Sequence, residues 1–211
     1  MRITVFGATG GVGQEIVRQA VTAGHEVTAV VRDPAGLPVP LSDVQVCTVA
    51  RLDDPEVLCE AVAGRDAVLS ALGSRTRRAD GVAERLTGSV LAAMEAAGTR
   101  RLLVVSASPV GPHPADDPLL DRLIRKGVGA VLKEVYADLT LMEAALARSA
   151  TDWTSVRPPK LTDGPLTGRY RTVVGGFPRS GRTLSRADVA HAMLTLTDDP
   201  ATVKQGVGVA Y

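Results

Sequence analysis

Three regularly spaced glycines, Gly7, Gly10 and Gly13, follow an apolar segment at residues 2–6 and precede residues with helical periodicity. A strand that runs through a glycine turn into a helix leaves free backbone N–H groups and the positive end of the helix dipole facing one point. Gly7 can form the tight turn, Gly10 lets the backbone approach a phosphate, and Gly13 lets the helix pack closely on the strand. The alternative is a turn that only connects two elements. We predict a dinucleotide pyrophosphate site at Gly7, Thr9, Gly10, Gly11, Val12 and Gly13.

The residues after the second predicted strand, 26–31, indicate which dinucleotide is bound. An acidic residue about 20 positions past the glycines would bind the ribose hydroxyls of NAD, whereas an arginine there can hold the 2′-phosphate of NADP. Arg32 comes first, and its guanidinium offers several donors to a phosphate. Asp33 precedes Pro34 and is explained by turn chemistry. We therefore predict NADP (NADPH), with NAD held by Asp33 and a merely solvated Arg32 as the alternatives.

The next strand ends also carry residues that can do chemistry. After the fourth predicted strand, Leu72, Gly73 and Arg75 should lie near the nicotinamide half of the cofactor, although a loop arginine is also typical of a solvated surface. After the fifth strand, Ser106 should face the same crevice. Its hydroxyl can hydrogen-bond a substrate oxygen, or it can cap local backbone.

The elements that must position these residues alternate between strand and helix. Strand patterns lie at residues 2–6, 26–31, 44–49, 67–71, 101–105 and 152–156, and helix patterns lie after the glycines and at 55–62, 81–97 and about 131–148. This alternation predicts an α/β fold of the Rossmann type, a doubly wound parallel sheet with helices on both faces. We expect a single NAD(P)-binding domain over residues 1–211, with residues 108–118 as a loop above the sheet.

Composition limits the partners that the protein can have. The chain carries 24 Lys and Arg and 23 Asp and Glu residues, so no net field favours nucleic acid or an anionic membrane. No apolar run reaches the roughly 20 residues of a membrane span, and the first strand follows Met1 without a basic leader, which predicts a cytoplasmic protein. Cys47 and Cys59 are not in a Cys-x-x-Cys pattern, so neither a disulfide nor a metal site is predicted. We expect a monomer or a homodimer.

Several segments together resemble a known family. The spacing Gly-x-x-Gly-x-x-Gly is similar to that of the short-chain dehydrogenases/reductases. Residues 7–13, 31–33, 72–75, 92–94, 158–163 and 165–168 resemble the flavin reductase/biliverdin-IXβ reductase branch of the atypical members. The turn Pro165-Leu166-Thr167-Gly168, taken with the preceding Pro-Pro pair, is the most discriminating segment. Residues 185–190 resemble the start of a C-terminal helix of NADP-binding members, with Ser185 as the N-cap and Asp188 near the positive end.

The resemblance implies an NADPH-dependent reductase that passes a hydride to a flat conjugated acceptor such as a flavin, a tetrapyrrole or a quinone. A flavin would then be a substrate and not a prosthetic group, and Pro159 would be a cofactor contact. Lys160 stands where the family's reductases carry a histidine, and it can donate a proton, hold a carboxylate or face solvent. We predict Ser106 and Lys160 as the catalytic residues. Arg51 stands where an acidic residue often follows the third strand, which leaves the adenine contacts open.

A missing pair of residues argues against alcohol chemistry. Alcohol-oxidising short-chain enzymes use a tyrosine with a lysine four residues later, which lowers the tyrosine pKa. In this chain Thr140 follows Tyr136 and Val174 follows Tyr170 at that distance. Flavin or quinone reduction needs less from the protein, because the acceptor stabilises negative charge itself.

The segment at residues 158–184 is expected to form a loop and hairpin on the acceptor side. Phe177 is a candidate exposed aromatic for stacking, or it packs beneath its own loop. The histidines His25, His113 and His191 show no metal-ligand spacing and are assigned structural roles. Two other functions remain open: an isomerase, epimerase-like protein or pathway ketoreductase of the same superfamily, and a regulator that senses the dinucleotide without turning it over.

Overall fold

A single large sheet dominates the structure, a computed structural model that describes residues 1–74, 81–115 and 117–211. The strands are β1 (Arg2–Phe6), β2 (Glu26–Val31), β3 (Gln45–Thr48), β4 (Ala67–Ser70), β5 (Arg101–Val105), β6 (Asp152–Arg157), β7 (Lys160–Thr162), β8 (Arg171–Val174), β9 (Thr183–Ser185) and β10 (Gln205–Ala210). Within the described residues, eight strands form the sheet in the order β3-β2-β1-β4-β5-β6-β10-β8. Neighbours pair in parallel except β8, which is antiparallel to β10. Strands β7 and β9 form a separate parallel pair.

Helices cover both faces of this sheet. They are α1 (Gly11–Thr22), α2 (Pro55–Val62), α3 (Val82–Ala97), α4 (Leu119–Val131), α5 (Lys133–Arg148) and α6 (Arg186–Leu196). Helices α1 and α6 pack together on one face, and α3 packs against α2 and α5 on the other. Each face has its own apolar core, and the strands read as nearly continuous apolar runs because both of their faces are buried.

The central position of β1 sets the location of the site. It pairs with β2 on one side and with β4 on the other, so three strand ends meet beside the turn that leads into α1. Ile3 and Val5 point into the core under α1 and α6, while Phe6 belongs to the opposite core. The predicted Rossmann architecture is confirmed, and β3-β2-β1-β4-β5-β6 is the strand order typical of dinucleotide-binding folds.

Two parts of the chain differ from the sequence prediction. The loop expected at residues 108–118 contains a short 3₁₀ helix, Ser108–Val110, and α4 follows it before the predicted helix begins. Gly127 and Gly129 lie inside α4 and weakened its helix signal. The sheet also continues past β6 through β10 and β8. Residues 158–184 were expected to form a loop and hairpin, whereas β7 pairs in parallel with β9, and β8 pairs with β10.

Glycines in β10 concealed that strand in the sequence, and the structure explains both of them. A Cβ on Gly206 would lie 2.2 Å from the Arg157 guanidinium carbon, and one on Gly208 would lie 2.4 Å from the Gly176 carbonyl oxygen. Because neighbouring atoms lie so close to β10, these positions carry glycine instead of the branched residues by which a strand is recognised in a sequence. Within the described residues, no helix has the length and apolar character needed to cross a membrane.

Candidate active site

The glycine turn between β1 and α1 is shaped by contacts that leave no room for side chains. Gly7 has a φ of +72°, and a Cβ there would lie 2.7 Å from the Ala71 carbonyl oxygen. A Cβ on Gly13 would lie 2.0 Å from the Gly7 carbonyl oxygen, so α1 can lie this close to β1 only with glycine at that position. A Cβ on Gly10 would have, among the described residues, one neighbour within 4 Å, the Gly7 carbonyl oxygen at 3.3 Å. Gly7 and Gly13 therefore build the turn, while Gly10 leaves its outer side open.

A cleft of about 1520 Å³ lies in front of this turn. Residues at the carboxyl ends of β1, β2, β4, β5 and β6 line it, which is where ligands bind in doubly wound sheets. The volume exceeds the roughly 300–1,000 Å³ of an ordinary small-molecule site. The cleft therefore has room for a dinucleotide and for a second molecule beside it.

Most of the predicted site residues come together in this cleft, although they are distributed over the sequence. Those that line it are Gly7, Thr9, Gly10, Gly11, Val12, Arg32, Leu72, Gly73, Ser106, Pro159 and Lys160. Gly13 does not line it, because it lies behind the turn against Gly7. The predicted contact Arg75 lies outside the described residues. Three parts of the segment 158–184 also line the cleft, residues 158–161, 177–178 and 180–183.

The end of the cleft next to β2 carries an exposed arginine. Arg32 lines the cleft there, whereas Asp33 is engaged in local backbone structure. The Asp33 carboxylate accepts a hydrogen bond from the Ala35 N–H at 2.9 Å and caps a short 3₁₀ helix. The turn chemistry predicted for Asp33 is therefore confirmed.

Beside Arg32 the structure reveals a charged group that the sequence analysis missed. Asp53 accepts hydrogen bonds from Arg51 Nε and Nη2, at 2.9 and 3.0 Å, and from Arg85 Nη1 on α3, at 2.6 Å. The hydrogen bond from Arg51 is the main reason that the Asp53 pKa falls to about 2. All three residues line the cleft. No sequence spacing signals this cluster, because Arg85 and Asp53 are 32 residues apart.

At the other end of the cleft, Ser106 lies in front of a buried charge pair. The Arg157 guanidinium binds the Glu143 carboxylate, which also accepts a hydrogen bond from Ser155 Oγ at 2.7 Å. Burial opposes ionisation of Glu143, but hydrogen bonds from Arg157 and Ser155, with a contribution from the nearby Ser106 hydroxyl, outweigh it and lower the Glu143 pKa. The buried Ser106 hydroxyl contributes to this effect without a well-formed hydrogen bond to any described residue. It therefore keeps capacity to bind a ligand.

Phe177 and His113 pack against each other in the lining of the cleft. Phe177 is 5% exposed, so the prediction of an exposed aromatic is wrong, and the alternative of packing beneath its own loop is correct. Its ring packs at 4.9 Å from the His113 ring. His113 Nε2 lies 2.9 Å from the Ser108 carbonyl oxygen, and Nδ1 lies 3.7 Å from an Asp117 carboxylate oxygen. Both rings line the cleft. His113 is therefore, like Asp53, a cleft residue that the sequence analysis did not identify, because it assigned His113 a structural role.

Tyr136 lies in the cleft without the partner that alcohol chemistry needs. Burial raises the pKa of Tyr136, which keeps its hydroxyl protonated at neutral pH. Thr140, four residues later, donates its hydroxyl hydrogen bond to the Tyr136 carbonyl oxygen at 2.8 Å. The Thr140 hydroxyl is thus engaged with the backbone of its own helix, α5.

The turn at residues 165–168 is attached to α6 by one buried carboxylate. Asp188 accepts hydrogen bonds from the backbone N–H groups of Thr167 and Gly168, at 2.9 and 2.8 Å, and from the Tyr211 hydroxyl at 2.5 Å. Ser185 Oγ accepts a hydrogen bond from the Asp188 N–H at 3.0 Å, which confirms Ser185 as the N-cap. This attachment holds the discriminating turn of the sequence analysis at the N-terminus of α6, whose first residue, Arg186, lines the cleft.

Residues 7–200 match the model of the NAD(P)H-binding family. The photosystem II assembly factor Ycf39 of Synechocystis sp. (strain ATCC 27184 / PCC 6803 / Kazusa) is 28% identical over 150 residues, which are 69% of this chain and 44% of that protein. The chain spans less than half of the length of the curated relatives it matches.

Solved structures share the fold along the whole chain. A protein from Burkholderia pseudomallei described as exported has a TM-score of 0.84 and 27% identity, with 100% of both chains covered. A short-chain dehydrogenase/reductase from Veillonella parvula in complex with NADP has a TM-score of 0.83 and 19% identity, covering 100% of this chain and 94% of that one. ChuY, an anaerobilin reductase from Escherichia coli O157:H7, has a TM-score of 0.78 and 23% identity, covering 100% and 97%. The family match and the shared fold confirm the NAD(P)H-binding class that the sequence predicted.

Proposed function

The chain belongs to the NAD(P)H-binding family, and from this we propose that it is an NADPH-dependent reductase that transfers a hydride to a planar conjugated acceptor, such as a flavin, a quinone or a tetrapyrrole. One observation carries the proposal: a cleft of about 1520 Å³ extends from the glycine turn to Ser106 and Lys160. A dinucleotide on the turn leaves space beside its nicotinamide for a flat second molecule. The structural neighbour that is an anaerobilin reductase supports an acceptor of this class.

The glycine turn fits the diphosphate of a nicotinamide dinucleotide. Gly10 leaves its outer side open, and the backbone N–H groups in the first turn of α1 have no intrahelical partner. Amide hydrogens and the helix dipole can therefore hold the pyrophosphate, as at other helix N-termini. Arg32, exposed at the β2 end, is the residue that we propose to hold a 2′-phosphate and to favour NADP over NAD. When bound, NADPH supplies the hydride.

The residues at the opposite end would orient the acceptor and complete the proton balance. Each turnover moves one hydride and one proton to the acceptor and leaves NADP⁺. The Ser106 hydroxyl can donate a hydrogen bond to an acceptor oxygen, and Lys160, exposed on β7, can supply the proton. Residues 158–184 would form the acceptor side. Because a conjugated acceptor stabilises charge by itself, positioning is the protein's main contribution.

A turnover assay tests this function. Purified protein is mixed with NADPH and, in turn, with FMN, riboflavin, a quinone and biliverdin, and the absorbance of the reduced nicotinamide is followed. We expect oxidation with at least one of these acceptors. Tight NADPH binding without oxidation by any of them would contradict the reductase and favour a dinucleotide-sensing regulator. The cytoplasmic location and the monomeric or homodimeric state stay predictions.

A further inference from the structure

The side chain of Arg186 occupies the space in front of Gly11. A Cβ on Gly11 would lie 2.7 Å from Arg186 Cδ and 2.8 Å from its Nε. Gly11 is the first residue of α1, and Arg186 is the first residue of α6, which packs beside α1. The absence of a side chain at Gly11 therefore serves the passage of Arg186 across the glycine turn.

This position is electrostatically unusual for an arginine. The first turn of a helix carries a partial positive charge, so a cation there is unfavourable. Arg186 opens α6 and extends to the start of α1, and the first turn of α1 has no acidic residue. The positive end of α1 and a guanidinium therefore meet at one edge of the cleft, which both Gly11 and Arg186 line, whereas Asp188 in the first turn of α6 offsets the positive end of that helix.

The ion pair between Arg186 and Asp163 is weak. Arg186 Nη1 binds the Asp163 carboxylate, whose side chain is 90% exposed, while the Arg186 side chain is 33% exposed. An ion pair with one partner so exposed contributes little to stability, since water and salt screen it. The guanidinium can thus exchange Asp163 for a stronger anion at small cost.

We propose that Arg186 binds the pyrophosphate of the dinucleotide, and that Asp163 competes with the pyrophosphate for the same guanidinium. This inference rests on the proposed cofactor site and adds to it a charged group that the glycine turn itself lacks. Arg32 then serves the 2′-phosphate alone, while Arg186 serves the part that NADPH and NADH share. A guanidinium can give a phosphate two parallel hydrogen bonds, which suits this role.

The two dinucleotides and three variants distinguish this role from a structural one. Dissociation constants for NADPH and for NADH are measured by calorimetry on the full chain and on Arg186→Gln, Asp163→Asn and Arg32→Gln. Arg186→Gln should raise Kd for both dinucleotides by the same factor, about 10- to 100-fold, as expected for loss of a charged hydrogen bond. Arg32→Gln should raise Kd for NADPH only. Asp163→Asn should leave both values unchanged or lower them, because it removes a competing anion.

Other results would overturn the inference. If the ion pair were merely structural, Asp163→Asn would weaken binding as much as Arg186→Gln does. An Arg186→Gln protein with unchanged Kd for both dinucleotides, or with a loss confined to NADPH, would also contradict it. Circular dichroism and Tm measurements establish that each variant is folded. Failure of the unmodified protein to bind either dinucleotide would instead refute the proposed function, so the two failures can be told apart.

Discussion

Asp188 offers the sharpest quantitative test of how the structure is held together beside the cleft. Its side chain is fully buried and accepts hydrogen bonds from two backbone N–H groups, at Thr167 and Gly168, and from the hydroxyls of Thr167, Ser185 and Tyr211. Replacement by asparagine keeps the shape but removes the charge and turns one acceptor into a donor. The new amide NH₂ group would then face the N–H and hydroxyl donors that surround Asp188, so buried donors would lose their hydrogen-bond acceptor.

The magnitude follows from the pKa of this carboxyl group. Burial alone would raise the Asp188 pKa, but hydrogen bonds from Tyr211, Gly168 and Thr167 outweigh it and lower the pKa to about 2. The value in an unfolded chain is about 3.9, and the difference corresponds to about 2–3 kcal/mol of stability. Because the pKa is lower in the folded protein, this contribution is complete above about pH 4 and is lost as the pH falls toward 2.

We expect Asp188→Asn to lower the free energy of unfolding at pH 7 by about 2–4 kcal/mol. Urea titrations followed by the fluorescence of the buried Trp153 measure this difference. Between pH 6 and pH 2.5 the difference between the two proteins should shrink by about 1–2 kcal/mol, because the native carboxylate loses its advantage in acid.

The same difference at both pH values would refute the assignment of the stabilisation to the ionised Asp188. Glu95→Gln is a suitable control, because it neutralises an exposed carboxylate on α3. Its effect should stay within about 0.5 kcal/mol at either pH.

Three further predictions concern the cleft. Gly10→Ala should lower the free energy of unfolding in urea by less than about 1 kcal/mol but raise the Kd for NADPH at least about tenfold. Gly13→Ala should lower the free energy of unfolding by about 3 kcal/mol or more, because its Cβ would meet backbone atoms. Equal losses of stability in the two variants would contradict the different roles of these glycines. Arg32→Gln should weaken NADPH about 10- to 100-fold in calorimetry with NADH unchanged, and parallel losses would exclude a 2′-phosphate contact. Lys160→Ala should lower kcat in the NADPH oxidation assay by about 100-fold if it supplies the proton, and an unchanged kcat would assign protonation to water.

The sequence predicted those features that backbone geometry imposes locally. The glycine turn was correct because Gly7 and Gly13 have neighbours that exclude a Cβ, and this constraint shows in residue type and spacing. The parallel strands were correct because burial on both faces demands apolar runs. Their carboxyl ends then located the cleft, with Arg32, Ser106 and Lys160 on it.

The features that were missed depend on residues that are distant in sequence. Asp53, which precedes α2, is paired with Arg85 on α3, and Phe177 packs against Gly208 of β10. Helix α4 was missed for a local reason. Its glycines lower the helix propensity of a segment that has an amphipathic pattern. Leu119 and Leu123 of this helix remain 74% and 66% exposed. The low helix propensity of the glycines argued against a helix and the amphipathic pattern argued for one, and the pattern was correct.

The position of β10 has a consequence for the order of assembly during translation. Because β10 lies between β6 and β8, the edge strand β8 leaves the ribosome before the segment that will pair with it. The backbone N–H and C=O groups of β8 that pair with β10 can form these hydrogen bonds only after residues 205–210 have been synthesised. The β1-α1-β2 unit needs no such delay, since its contacts are local in sequence and form early. The nascent polypeptide can thus complete the β1-α1-β2 unit early, whereas β8 is paired only after β10 has been synthesised.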